Sequence, residues 1–533
     1  MLILIRSGLQ IPKKHLTPEV ERALRTRLCK PNPAYESSQR YGRYTGNMER
    51  LLYFYEDQPD HLRIPRGALG LVRETLAKFG ISPDFDSAVH TNTMRPVPVE
   101  DFAVELRPYQ RDCVDAMHKR VQGVVQMPCG SGKTTTGAIA LLSTGEPGLV
   151  LVHTEDIQQQ WVQTITQLTA GDRPRIIQGK GSSLKPLRPG EIAVAMVQTL
   201  AGARQSRQLL QSVGALITDE AHHVPANQWR PIVDRCPARY RWGLTATPDR
   251  SDGLGFMLHF LMGPTIFQMG TNELIRQGYL FRPYIIPVDS GWEPGDDLYP
   301  ANVPCYSCGT KIQVVPARHE REGTTCPKCD NYLSSQSDTE RGRINYSKAV
   351  TVSSKDKDRM SLISDLTEAA VADGRTVLIL VPRKKAVWSL VRDLESRGIT
   401  AIGITSQDGK EIRSRKLRDA RAGRVEAVVA TQLADEGLDL PILDCAINTS
   451  AGRSKGRARQ RVGRTLRPVG KTPVVFELVD GGEFRSQWDS RKRVYIQEYG
   501  PCVHGSEPLG LTEALAALQA INAKSQKLSG VGF

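Results

Sequence analysis

Met127-Pro128-Cys129-Gly130-Ser131-Gly132-Lys133-Thr134 follows the short apolar run Gly123-Val-Val-Gln-Met127 without a break. A strand buried on both faces, a glycine turn and a helix beginning near Lys133 is the order in which a parallel α/β sheet cradles a phosphate group. Backbone N–H groups of the turn, with Gly130, Ser131, Gly132 and Thr135 around them, wrap phosphate oxygens, and glycine permits the close approach. Lys133 then reaches the β- and γ-phosphates, and Thr134 holds Mg2+. The strict form of such a loop has a glycine where Met127 stands. An ordinary strand-to-helix glycine turn is the competing reading, and the Gly-Lys-Thr that follows argues against it.

Similar nearly continuous apolar runs recur at 148–154, 192–199, 215–219 and 241–247, and again at 376–382, 401–405, 427–431, 445–449 and 473–479. Runs this short, separated by helix-length segments, predict two doubly wound parallel-sheet lobes in tandem. The expected organisation is a small α/β module over 1–98, a first lobe over 99–290, a polar cysteine-containing insert over 291–343, a second lobe over 344–500, and a tail over 501–533. That tail carries one short helix, 511–523, before a polar end.

Asp219-Glu220-Ala221-His222 stands at the carboxyl end of one of these runs, where open α/β sheets place ligand chemistry. Asp219 is positioned to hold Mg2+ and Glu220 to activate an attacking water. A helix cap or a solvated turn is the bland alternative for adjacent carboxylates. Far downstream, Gln460-Arg-Val-Gly-Arg-Thr-Leu-Arg467 sets Arg461, Arg464 and Arg467 at three-residue steps on roughly one helix face. Phosphoryl transfer needs charge stabilisation from an opposing surface, so Arg464 and Arg467 are expected on the γ-phosphate, in a cleft between the lobes.

The chain has 533 residues, 40% apolar and 24% charged, with a formal charge of +14. That balance favours a polyanionic partner, nucleic acid above all, without distinguishing DNA from RNA. No apolar run reaches the roughly 18 residues of a membrane span, which sets the expected location in the cytoplasm, or the nucleus of a eukaryote. Of ten cysteines, four form two tight pairs, Cys305-Tyr-Ser-Cys308 and Cys326-Pro-Lys-Cys329. Their spacing fits a structural four-cysteine zinc ribbon, the alternatives being a redox pair or an iron–sulfur cluster.

Arg107-Pro-Tyr-Gln110, the phosphate loop, 219–222, Thr245-Ala-Thr247, Thr431-Gln-Leu-Ala-Asp-Glu-Gly437 and 460–467 stand in the order and spacing of superfamily 2 helicase motifs. The resemblance covers roughly 105–480, and members of that superfamily commonly lack the first glycine of the loop. Within it, Leu244-Thr-Ala-Thr-Pro-Asp-Arg250, Asp252-Gly253 and Leu274-Ile-Arg-Gln-Gly-Tyr-Leu280 are similar to the XPB and UvsW group of DNA motors. Arg250 with Asp252 resembles the Arg-Glu-Asp element of XPB, with Ser251 in place of its middle acid.

The resemblance implies RecA-like lobes and an ATP- and Mg2+-dependent DNA helicase or translocase that unwinds or remodels duplex or branched DNA in repair, recombination or replication. It puts Arg107 and Gln110 near the adenine, and Thr245, Thr247 and His222 in coupling hydrolysis to movement. Glu436, Gly437, Gln460, Arg464 and Arg467 complete the site from the second lobe. Thr154, Gln198, Thr199, Arg383 and Thr431 fall where the family contacts strand phosphates. An RNA helicase, the motor of a restriction or phage-defence complex, and an ATP-gated binding switch are the competing readings.

Overall fold

Runs such as Leu149-Val-Leu-Val152 and Leu378-Ile-Leu-Val381 have no polar face to turn to water, so they pair as interior strands covered by helices on both sides. The computed structural model describes the chain except residues 41–43, 88–95, 180–181, 204–205, 226–227, 247–252, 300, 315–322, 334–339, 342–343, 432–439, 441–442, 450–454, 464–470 and 530–533. The chain divides into two units, Met1–Leu274 and Ile275–Phe533.

The first unit holds a seven-stranded parallel sheet in the order Arg175–Ile177, Ile192–Met196, Gly148–Val152, Ala215–Thr218, Tyr240–Thr245, Gln122–Gln126, Thr265–Gln268. The two edge strands were not among the expected runs, because three or four residues with exposed positions carry little pattern. In front lies a five-stranded mixed sheet built from Leu2–Ile5, Gly8–Pro12, Glu56–Asp57, His61–Pro65 and Asp84–Ser87. This module is fastened to the first lobe. Phe54 stacks on Phe260 at 4.5 Å, and Arg66 donates to the carbonyls of Ala238 and Arg239 at 2.5 and 2.7 Å. Gly67 lies so close to the backbone of Phe260 that a Cβ would stand 2.5 Å from its carbonyl oxygen. Burying each large apolar side chain of this shared core contributes about 1.5–3 kcal/mol.

The second unit holds a six-stranded parallel sheet in the order Tyr284–Asp289, Val474–Val479, Cys445–Asn448, Val377–Val381, Ala427–Thr431, Ala401–Ile404. Two expected boundaries change here. The expected first lobe, 99–290, includes Tyr284–Asp289, yet this strand pairs along its whole length with Val474–Val479. The segment after 500 is core rather than tail: Val503 and Leu509 bridge to Ile285 and Val288, and the helix Leu511–Ser529 buries Ala514, Ala517, Leu518 and Ile521 in the lobe. Covering the apolar face of the sheet's edge strand is the physical reason for both.

The insert forms two small antiparallel sheets, Ala301–Pro304 with Lys311–Val314 and Glu340–Arg341, and Thr324–Thr325 with Tyr332–Leu333. Among the described residues its core is Val303, Ile312, Val314 and Leu333 around Cys305 and Cys326. Among the described residues, no helix is long and apolar enough to cross a membrane.

Candidate nucleotide site and cysteine centre

The helix Lys133–Leu142 begins at the lysine of the phosphate loop, and both Gly130 and Gly132 adopt left-handed φ values, 80° and 79°. That curl is closed to a side chain at Gly132, because Gln110 Nε2 occupies the space a Cβ would need. Gln110 donates to the Ser131 carbonyl at 3.1 Å, and Tyr109 donates to the same oxygen at 2.8 Å. Arg107 and Gln110 form a reciprocal cap on their own helix, with the Arg107 N–H donating to Gln110 Oε1 at 3.0 Å. Arg-Pro-Tyr-Gln thus holds the loop from behind. Lys133 Nζ donates to the Pro128 carbonyl at 3.1 Å, across the concavity where phosphate oxygens would lie. Thr134 and Thr135 occupy the first turn of the helix and are part-exposed, and buried Met127 sits at the strand end.

Asp219 is buried at the end of the strand Ala215–Thr218, which Tyr240–Thr245 separates from the strand leading into the phosphate loop. Burial and the adjacent Glu220 push its carboxyl upward, while the Trp161 hydrogen bond and Lys133 pull it down. Trp161 Nε1 donates to Asp219 Oδ2 at 2.7 Å, and the Glu220 N–H donates to Asp219 Oδ1 at 2.9 Å. Glu220 has φ of 48°, a left-handed conformation that costs a non-glycine residue about 1–3 kcal/mol and recurs at functional sites. His222 Nδ1 lies 3.4 Å from Glu220 Oε2 and 3.2 Å from Thr245 Oγ1, so His222 joins the carboxylate to the Thr-Ala-Thr strand end.

A carboxylate, a lysine and a backbone cradle converging at the carboxyl edge of one sheet suit a nucleoside triphosphate with a divalent cation. Residues 103–250 match the family described as the type III restriction enzyme, res subunit, and residues 358–469 match the helicase conserved C-terminal domain. The chain is 25% identical over 440 residues to the DNA 3'-5' translocase XPB2 of Sulfurisphaera tokodaii, covering 80% of this chain and 93% of that one. It is 24% identical over 440 residues to the DNA 3'-5' helicase XPB of Mycobacterium tuberculosis, covering 81% and 71%. The chain is a superfamily 2 helicase of the XPB type.

Other relatives are longer. The helicase is 27% identical over 388 residues to the putative DNA 3'-5' helicase Rad25 of Halobacterium salinarum, covering 72% of its own chain and 55% of the relative. The solved structure of Saccharomyces cerevisiae Dbp5 bound to RNA and ADP BeF3 shares the fold at a TM-score of 0.51 and 13% identity, covering 78% of this chain and 97% of that one.

The five expected nucleic-acid residues of this helicase sit in two equivalent places, each at the carboxyl ends of adjacent strands. In the first unit, Thr154 caps the helix Glu155–Leu168, Gln198 donates to the His153 carbonyl at 3.1 Å, and Thr199 Oγ1 accepts from the Gly179 N–H at 2.9 Å. In the second, Arg383 donates to Thr351 Oγ1 at 3.1 Å, and Thr431 has a buried hydroxyl with no hydrogen-bond partner among the described residues.

Gln460 lies on the helix Lys455–Gly463. Thr247, Arg250, Asp252, Glu436, Gly437, Arg464 and Arg467 lie outside the described residues. Arg461 does not join the expected arginine face: it is buried and donates to Asn448 Oδ1 at 2.8 Å. Asn448 in turn donates to Glu477 Oε1 at 2.7 Å, and Arg491 and Tyr495 converge on the same carboxylate at 3.0 and 2.5 Å. This buried network ties the arginine helix to the end of one strand, at Asn448, and to the middle of the next, at Glu477. Nothing in the sequence marked it, since Asn448 and Glu477 are single polar residues inside apolar runs. Trp161 was equally invisible, as one aromatic on an amphipathic helix.

The four cysteine sulfurs of the insert lie within 4.8 Å of one another, with Cys305 to Cys329 and Cys308 to Cys326 each 3.6 Å apart. A tetrahedral ion with bonds of about 2.3 Å sets its ligands about 3.8 Å apart, so the donor set fits zinc. The two knuckles share one backbone pattern. Gly309 and Asp330 donate back to the carbonyls of Cys305 and Cys326 at 2.8 and 2.9 Å, and both adopt left-handed φ, 70° and 55°. The Cys308 thiol is pushed down to about 6, chiefly by hydrogen bonds from Thr310.

Proposed function

We propose that this helicase is an ATP- and Mg2+-dependent DNA translocase that unwinds or remodels duplex or branched DNA in repair, recombination or replication. The observation that carries it is the meeting of Lys133, Asp219 and Glu220 at one sheet edge, with Glu220 strained into position beside His222. A binding switch has no need of a water-activating acid. Relatives named as DNA 3'-5' translocases and helicases support DNA as substrate and movement toward the 5' end of the tracked strand.

Lys133 and the N–H groups of 130–135 bind the β- and γ-phosphates, with Arg107 and Gln110 beside the base. Thr134 and Asp219 hold the magnesium ion, which when bound neutralises phosphate charge. Glu220 orients the attacking water and accepts its proton. Gln460, Arg464 and Arg467, with Glu436 and Gly437, take up the charge developing on the transferred phosphoryl group. His222 and Thr245, with Thr247, Arg250 and Asp252, pass the change at Glu220 to the strands that grip DNA. Thr154, Gln198, Thr199, Arg383 and Thr431 contact the backbone of the tracked strand. Zinc on Cys305, Cys308, Cys326 and Cys329 holds the insert folded.

The test is ATP turnover with duplex DNA, forked DNA and RNA, for the wild type and Lys133→Ala. DNA-stimulated turnover that vanishes in the variant supports the reading. Stimulation by RNA alone moves the substrate to RNA, and turnover surviving in Lys133→Ala removes the site.

A further inference from the structure

Three histidines meet at the carboxyl edge of the first lobe's sheet. His222 and His223 belong to the one-turn 3₁₀ helix Ala221–His223, directly after Glu220. His153 follows the adjacent strand, Gly148–Val152. The ring centroids of His222 and His223 stand 4.3 Å apart, and those of His223 and His153 stand 4.7 Å apart. Buried Trp229 backs the cluster, its ring within 17° of parallel to His223 at 6.3 Å. At one end, His222 Nδ1 lies 3.4 Å from Glu220 Oε2. At the other, the His153 carbonyl accepts from Gln198 Nε2 at 3.1 Å, and Thr154 follows as the cap of the helix Glu155–Leu168. The middle of that helix is tied to the same acid pair, because Trp161 donates to Asp219 at 2.7 Å.

Space-filling beside a tryptophan is the ordinary reading of such a cluster. Aliphatic or purely apolar rings would fill the same space without the cost of removing ring nitrogens from water. The placement is also directional. Glu220 follows the strand Ala215–Thr218, which lies between Gly148–Val152 and Tyr240–Thr245. His222 reaches toward the second of these neighbours through Thr245 Oγ1 at 3.2 Å, and His223 reaches toward the first through the His153 ring. Coupling between sites needs an element with two arrangements. The turn after Glu220 supplies it: Glu220 is held at a left-handed φ of 48°, and the His223 N–H closes the turn on the Glu220 carbonyl at 2.9 Å.

We propose that His223 and His153 are positioning residues that carry the state of Glu220 to the strand end bearing Thr154 and Gln198. When the Glu220 backbone relaxes, the turn rotates as a unit and its His223 ring displaces His153, so the bound nucleotide sets the hold on DNA at that strand end. Ring contact rather than a hydrogen bond transmits the movement. This role rests on the reading of the chain as a DNA motor and names side chains that link its nucleotide state to its DNA affinity. Neither histidine belongs to the phosphate loop or to the Asp-Glu-Ala-His run.

The experiment measures the affinity of the full chain for a labelled forked DNA in ADP with beryllium fluoride and in ADP alone, and takes the ratio of the two. The variants are His153→Ala, His223→Ala, the double variant and His223→Phe. Each alanine variant is expected to bring the ratio toward one by about 2–30-fold. The double variant should lose no more than the stronger single one, because both changes break one path. His223→Phe keeps a ring in the cluster and is expected to hold the wild-type ratio. A merely structural role lowers both affinities together and leaves each ratio unmoved. Wild-type ratios in both alanine variants overturn the proposal alone, as do additive losses in the double variant or an equal loss in His223→Phe. If His223→Ala does not fold, His153→Ala and His223→Phe decide by the same criteria. A wild type that binds DNA equally in both nucleotide states overturns the histidine path, and one that binds no DNA overturns the functional reading as well.

Discussion

Trp161 Nε1 and Asp219 Oδ2 meet at 2.7 Å inside the first lobe, so a helix-core tryptophan is also the donor that steadies the buried carboxylate. That bond favours the charged form against burial and the adjacent Glu220, which both oppose it. Trp161→Phe keeps most of the packing and strands one carboxylate oxygen, at a cost of about 1–3 kcal/mol. A magnesium titration of ATP turnover is expected to shift to higher Mg2+, with a lower melting temperature. An unmoved magnesium midpoint denies Asp219 its metal role.

Glu220→Gln keeps the size of the side chain and its contact with His222 while removing the base. Turnover is expected to fall by about 10²–10⁴ while ATP binding persists. Fluorescent-nucleotide binding and steady-state rates separate the two, and a parallel loss of binding points to a structural role.

The Glu146 carboxylate is buried, and neither oxygen has a hydrogen-bond partner among the described residues. Burial raises its pKa, with Arg239 pulling weakly the other way. A carboxyl whose folded pKa is raised binds its proton more tightly folded than unfolded. Wild-type stability therefore falls as pH climbs from about 4.3 toward the folded value. Glu146→Gln is expected to melt higher than wild type at pH 8, with the gap closing in acid. Parallel melting curves at every pH refute this.

Glu477 has no exposure and holds Asn448, Arg491 and Tyr495. Glu477→Ala removes the carboxylate to which the buried Arg491 guanidinium donates, which costs about 3–5 kcal/mol. Because Asn448 also holds Arg461, the loss is expected to reach ATP turnover through the helix carrying Gln460. Limited proteolysis and thermal melting report the first effect and turnover the second.

Metal analysis of the purified helicase should find one zinc per chain, and Cys326→Ser should lose it. Protease sensitivity is then expected to rise within the insert, whose few apolar residues cannot hold it alone. Iron with visible absorbance would replace the zinc assignment with a cluster.

Sequence by itself determined the two α/β lobes, the phosphate loop, the Asp219–Glu220 pair and the paired cysteines. Each is local: a strand buried on both faces must be continuously apolar, a phosphate turn needs its glycines, and a knuckle needs two thiols at fixed spacing. Tertiary structure alone decided that Tyr284–Asp289 and the helix after 510 complete the second lobe, and that the front module is fastened to the first. It alone revealed Trp161 on Asp219, Arg461 turned inward, and His153 set against His223. Those are meetings between residues far apart in the chain. No periodicity encodes them, because a side chain's partner is set by how sheets and helices pack rather than by its neighbours in sequence.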